Sequence, residues 1–137
     1  MEKYRHIHII LTGGTIEKIY DEVHGGIDNI EEWIDRSFPR LRLPYVQIHA
    51  TRLMNVDSLY MTEEHRVQIA DTVKRLQEDG YPIVITHGTD TMVESGTLLK
   101  KLLPEVNVPV IFTGAMLPLV VQNSDGLQNL TESLFAT

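Results

Sequence analysis

Two short stretches hold the residues best suited to chemistry: Thr12-Gly13-Gly14-Thr15-Ile16 and Thr86-His87-Gly88-Thr89-Asp90-Thr91. Threonine hydroxyls serve as nucleophiles and donors. Gly13 and Gly14 let the backbone approach a ligand closely, and Asp90 supplies a negative charge. Each stretch follows an apolar run, the first after Ile7, Ile9, Ile10 and Leu11, the second after Ile83, Val84 and Ile85. A β-rich run ending in small, hydroxyl-bearing and acidic residues reads as a buried strand opening into a polar loop. Ligands of open α/β sheets sit at the carboxyl ends of the strands, so the two loops are expected to meet over one pocket.

The elements that must position these loops alternate along the chain. His6 to Leu11 reads as the first strand, and Thr12 to Gly26 as a loop. Asp28 is placed to cap a short helix with Ile30, Trp33 and Ile34 on its apolar face. Tyr45 to Ala50 reads as a second strand. Thr62, followed by Glu63 and Glu64, starts a helix that buries Val67, Ile69, Ala70, Val73 and Leu76 and ends at Gly80. Ile83 to Ile85 is the third strand, and Met92 to Leu103 a helix stopped before Pro104. Val108 to Phe112 is the fourth strand, with Pro109 where no ladder donor is needed. Ser124 or Asp125 caps a last helix through Leu127, Leu130, Leu134 and Phe135. This order predicts an α/β fold, a largely parallel open sheet with helices on both faces.

Composition narrows the function. A chain of 137 residues fits one domain, and residues 1–137 are read as such. A net charge of −7 argues against nonspecific binding to nucleic acid or to an anionic membrane. With no cysteine, thiol catalysis, thiolate metal sites and disulfides are excluded. The polar start Met1-Glu2-Lys3-Tyr4-Arg5 lacks a signal-peptide pattern, and no apolar stretch is long enough to cross a bilayer, so a cytoplasmic location is expected. His6, His8, His24, His49 and His65 show no metal-ligand spacing, and the Gly-Gly turn is not a dinucleotide fingerprint. His87, directly after a strand, reads as a structural histidine rather than a base.

Several segments in order resemble the bacterial-type L-asparaginases. Thr12-Gly-Gly-Thr-Ile16 resembles the first signature of that family, and Ile85-Thr-His-Gly-Thr-Asp-Thr-Met92 the second. Thr113-Gly-Ala-Met-Leu-Pro118, Ser124-Asp-Gly-Leu-Gln-Asn-Leu130 and Asp57-Ser-Leu-Tyr-Met-Thr62 are similar to further segments. The likeness runs from about Ile9 to Leu130. It implies an asparaginase amino-terminal-domain-like fold and hydrolysis of L-asparagine to L-aspartate and ammonia through an acyl-enzyme. A glutaminase or amidotransferase-type amidohydrolase of the same family, or a noncatalytic asparagine- or aspartate-binding module, are the alternatives.

The resemblance also implies roles. Thr15 matches the threonine nucleophile, Thr89 and Asp90 the second threonine and the aspartate, and Ser58 the serine that grips the substrate's α-carboxylate. Asp57, Gly88 and Ala115 fall where family members contribute backbone contacts, and Tyr20 matches a mobile tyrosine over the nucleophile. A threonine hydroxyl needs a relay to attack an amide carbon, which Tyr20 or Thr89 would supply. Asp90 would hold the substrate's ammonium group. The polar segment from Glu17 to Gly26, carrying Tyr20, would close as a lid. No cofactor and no metal is implied, and the partner is a small amino-acid amide bound by a homo-oligomer.

Two departures qualify the likeness. The family pairs its threonine and aspartate with a lysine beyond the last matched helix, and no residue here matches it; Lys100 and Lys101 lie on the preceding helix. Full-length members also carry a carboxyl-terminal domain, so a domain cut short at its carboxyl end, with weak activity on its own, is the expectation. Residue types leave structural roles open as well. Thr89 and Asp90 are suited to cap the Met92 helix, Ser58 to a turn, and Asp125 to a helix cap or a subunit contact.

Overall fold

The computed structural model describes residues 3–29 and 38–137. Six strands are present there: β1 (Arg5–Leu11), β2 (Lys18–Asp21), β3 (Gly26–Asn29), β4 (Val46–Arg52), β5 (Ile83–Thr86) and β6 (Val110–Thr113). Three helices accompany them, α1 (Glu63–Leu76), α2 (Met92–Leu102) and α3 (Gly126–Ala136). Four strands form one parallel sheet in the order β4-β1-β5-β6. The remaining two form an antiparallel hairpin in which Ile19 pairs with Asp28 and Tyr20 with Ile27.

The central strand β1 is apolar on both faces because both are covered. Ile7, Ile9 and Leu11 join Val84, Leu119, Leu130 and Leu134, the last two from α3. Ile10 turns the other way, to Ile83 and Ile85, to Ile69, Ala70 and Val73 of α1 and to Leu99 of α2. The sheet is therefore parallel with helices on both faces, as the alternation of elements predicts.

Helix boundaries follow local chemistry. The Thr62 hydroxyl accepts from His65 N, while His65 Nδ1 accepts from Thr62 N at 3.0 Å, closing both ends of a capping box. Glu63 and Glu64 in the first turn and Lys74 and Arg75 in the last complement the helix dipole. A short 3-10 turn follows, and Gly80 ends it at φ +73.

Two expectations are corrected. The segment from Thr12 to Gly26 is not a loop: it holds a 3-10 turn, Thr15–Glu17, and then β2. Gly25, at φ +69, lets the chain double back, and pairing with β3 satisfies the backbone of both arms. Asp28 stands in β3, and the short helix expected after it, with Ile30, Trp33 and Ile34, lies outside the described residues. The fourth strand begins at Val110 rather than Val108. Pro109 has no N–H to give the ladder, and its carbonyl accepts from Ile83 N at 2.9 Å.

Candidate functional site

The register places the site. Arg52, Leu11, Thr86 and Thr113 form one row across the sheet, so the four parallel strands end level with one another. The segments that follow them leave from the same edge. Glycines then set how closely those segments pack. Gly13 and Gly14 have φ of +114 and +88, which L side chains rarely adopt. A β-carbon on Gly13 would stand 2.7 Å from Val56 N, and one on Gly14 2.6 Å from Gly88 N. The turn after β1 thus lies directly on the segment after β4 and on the one after β5. A β-carbon on Gly88 would come within 2.5 Å of Ser58 Oγ, and one on Gly114 would strike the His87 carbonyl.

This packing gathers most of the residues singled out from the sequence. Thr15 is half-buried at the start of its 3-10 turn, and its hydroxyl is bonded to nothing among the described residues. Ser58 is 1% exposed, and its buried Oγ has no hydrogen-bond partner among the described residues. Its backbone is fixed: the Thr91 hydroxyl donates to Ser58 O at 2.8 Å, and the Asp57 carboxylate accepts from Leu59 N at 3.0 Å. Thr89 and Asp90 are exposed at the top of the β5 segment, with Thr89 Oγ1 3.7 Å from Met116 Sδ. Neither caps α2, whose N-cap is Thr91 without a side-chain bond. The Gly88 and Thr89 N–H groups donate to nothing among the described residues. Ala115 is buried in the β6 segment, next to Gly114, on which a β-carbon would lie 3.4 Å from Thr89 Cγ2.

Two expected residues stand differently. Tyr20 is 56% exposed on the hairpin, and no hydrogen bond joins it to Thr15 among the described residues. Asp125 does not cap α3 with its side chain. Its carboxylate instead accepts from Met116 N at 2.9 Å and Leu117 N at 3.1 Å, which holds its pKa below the usual carboxylate value. It also takes a bond from Asn129, which in turn donates to Gly114 O at 2.9 Å. Ser124, the residue before the N-cap, accepts from Gly126 N at 2.8 Å. A loop whose amides point inward outbids the helix end for the Asp125 charge.

Beneath the exposed groups lies a layer that sequence reasoning missed. Glu17 is fully buried. Its Oε2 accepts from Gly13 N at 2.5 Å and from the Thr86 hydroxyl at 3.2 Å, and its Oε1 accepts from Arg52 at 2.5 Å. Burial pushes Glu17 up to about 7; the Arg52 guanidinium, the Gly13 amide and the Thr86 hydroxyl pull against that rise. The Thr12 hydroxyl donates to Thr86 O at 2.6 Å. In sequence Glu17 looks no different from its neighbours Lys18 and Glu22, and its cation lies 35 positions away. Only the i to i−4 spacing from Gly13 offered a signal.

His87 belongs to the same layer and has the structural role read from the sequence. Its Nδ1 lies 2.7 Å from Gly88 O, and its Nε2 2.7 Å from Ser95 Oγ. A carbonyl only accepts, so Nδ1 carries the hydrogen and Nε2 accepts from Ser95. The Ser95 oxygen accepts in turn from Arg66 Nε at 2.9 Å. Burial lowers the His87 pKa, so the ring is neutral and already committed to both partners.

Fold and site together define an α/β domain with an unspent set of hydroxyl, amide and carboxylate groups at the carboxyl ends of its parallel strands. The chain belongs to the asparaginase family: the model of the family's N-terminal domain matches residues 6–137. It is 37% identical over 135 residues to L-asparaginase 1 of Escherichia coli strain K12, covering 94% of this chain and 39% of that protein. The structure of the thermostable L-asparaginase from Thermococcus kodakarensis superposes with a TM-score of 0.80 at 30% identity, over 94% of this chain and 39% of that one. A probable cytoplasmic L-asparaginase from Campylobacter jejuni gives a TM-score of 0.71 at 30% identity, over 92% and 37%. The chain therefore spans about two fifths of the length of these relatives. Among the described residues, no helix is long and apolar enough to cross a membrane.

Proposed function

We propose that this chain carries the nucleophile-bearing half of an L-asparagine amidohydrolase site, releasing L-aspartate and ammonia. One observation supports it above the others: the Ser58 hydroxyl is buried, has no partner among the described residues and lies against Gly88, in the segment that carries Asp90. A buried hydroxyl without a partner costs roughly 1–3 kcal/mol, a cost that a bound carboxylate would relieve. Membership of the asparaginase family supplies the reaction.

In this reading Ser58 grips the substrate α-carboxylate and Asp90 its ammonium, with backbone help from Asp57 and Ala115. The Thr15 oxygen attacks the side-chain amide carbon while its proton passes to a relay, Thr89 or Tyr20. The carbon–nitrogen bond then breaks and ammonia leaves with a proton. Water hydrolyses the resulting ester and returns the proton to Thr15. The Gly88 and Thr89 N–H groups, unbonded among the described residues, suit the developing oxyanion, a contribution of roughly 3–4 kcal/mol for a well-placed donor. The domain, residues 1–137, acts in the cytoplasm as a homo-oligomer. A cytoplasmic relative and the exposed apolar side chains of Met116, Leu117, Val121 and Phe135 favour that reading.

Binding of aspartate without turnover is the second reading. Lys100 and Lys101 are exposed in the last turn of α2, roughly 12 Å or more along the helix from Asp90, so neither serves the Thr89–Asp90 pair. Ammonia release from asparagine separates the two readings, and titration calorimetry with aspartate tests binding in both. Thr15→Ala is expected to lower ammonia release by roughly three orders of magnitude or more while aspartate still binds. Near-normal turnover in that variant would remove Thr15 from the chemistry.

A further inference from the structure

Glu17 is joined to three of the four strand ends that frame the site, those of β1, β4 and β5, without belonging to the set that meets substrate. Its Oε2 holds the Gly13 amide, and its own N–H donates to Gly14 O at 3.3 Å, so two bonds close the turn in which Thr15 stands. The same oxygen receives the Thr86 hydroxyl, at the end of the strand that leads to Gly88, Thr89 and Asp90. Its other oxygen receives Arg52, at the end of the strand that leads to Asp57 and Ser58. Arg52 also reaches Met54 O at 3.5 Å, on the way to Ser58.

We propose that Glu17, paired with Arg52, is the positioning residue of this site: its ionised carboxylate sets the Thr15 turn in register with the Ser58 and Asp90 loops. The inference rests on the proposed function for its purpose, not for its geometry. The turn runs through Gly13 and Gly14 at positive φ, where glycine has several conformations open to it, and the bonds to Glu17 select one of them. A carboxylate can accept from an amide, a hydroxyl and a guanidinium at once, and a protonated one must turn one oxygen into a donor. The groups bonded to Glu17 are an amide from the β1 end, a hydroxyl from β5 and a cation from β4. Of these only the Thr86 hydroxyl can accept that proton, by turning its own onto Ile10 O at 3.4 Å, and the Gly13 amide and Arg52 then bond to a neutral, weaker acceptor. Arg52 is the one charged group bearing on it among the described residues. Loss of the proton therefore tightens three loops together, and its uptake loosens them together. Glu17 does not touch substrate; it acts on Thr15 through the Gly13 amide.

The test is a pH titration of the 137-residue chain followed by NMR, reading the Glu17 side-chain carboxyl carbon and the amides of Gly13, Thr15, Ser58 and Thr89. All four amides are expected to move with the Glu17 carboxyl at one common midpoint near pH 7, the value to which burial raises it. Glu17→Gln should abolish that shared transition. Arg52→Gln, which leaves the carboxylate but removes its cation, should move the midpoint upward by roughly one pH unit. Aspartate affinity at pH 8 should exceed that at pH 6 by roughly tenfold in the native chain and should be flat in Glu17→Gln. If Gly13 moves alone while Ser58 and Thr89 stay still, or if the shared transition survives Glu17→Gln, the positioning role is overturned. If the amides move together but aspartate binds at neither pH, the positioning stands and the proposed function falls.

Discussion

The carboxyl end of this sheet has two tiers made of the same residue types, and they are used in opposite ways. In the lower tier, Thr12 and Thr86 each spend their hydroxyl on backbone or on Glu17, and His87 spends both ring nitrogens. In the upper tier, Thr15 and Ser58 have hydroxyls with no partner among the described residues, and Asp90 is exposed. The tiers lie only a few residues apart along the chain. A satisfied buried polar group adds order, whereas an unsatisfied one costs stability unless something binds it. The contrast shows that threonine content alone does not mark a site. What marks it is which hydroxyls the fold leaves unused.

The comparison breaks most sharply at the contact between the tiers. Gly14→Ala places a methyl group 2.6 Å from Gly88 N at a φ of +88. Clash and strain together should cost about 3 kcal/mol or more, read from the urea midpoint. A stability loss under about 1 kcal/mol would mean that the two loops do not pack as described.

The lower tier should announce itself in the pH dependence of stability. Glu17 is raised from 4.5 to about 7 by burial, so the folded chain holds this proton more tightly than the unfolded chain. The stabilisation is complete below about pH 4.5 and is lost as pH rises through 7, an effect of roughly 3 kcal/mol for a shift of this size. The difference in unfolding free energy between the native chain and Glu17→Gln should fall by that amount over the interval. A constant difference would show that Glu17 does not carry the proton.

The upper tier should behave in the reverse manner. Asp90→Asn should change the urea midpoint by no more than about 0.5 kcal/mol, since an exposed side chain without structural bonds is removed. Yet it should weaken aspartate binding well beyond succinate binding, because succinate lacks the amine that Asp90 is proposed to hold. Equal losses for both ligands would sharpen the comparison against that role and leave Asp90 with the loop alone.

The sequence by itself determined the class of fold, the succession of the four parallel strands along the chain and the place of the two threonine motifs at strand ends; their order in the sheet came from the structure. Apolar runs, caps such as Thr62 and stops such as Gly80 are local features, and local features survive in one dimension. It also named Thr15, Ser58, Thr89 and Asp90, through short segments that resemble one family. Only the tertiary structure decided which polar groups would be spent. It moved Asp125 from a helix end to the Met116 and Leu117 amides, put Asp28 in a hairpin and buried Glu17 on Arg52. These outcomes turn on partners far apart in the chain, brought into one row by the parallel register, and a carboxylate reads the same in sequence whether it faces water or a guanidinium.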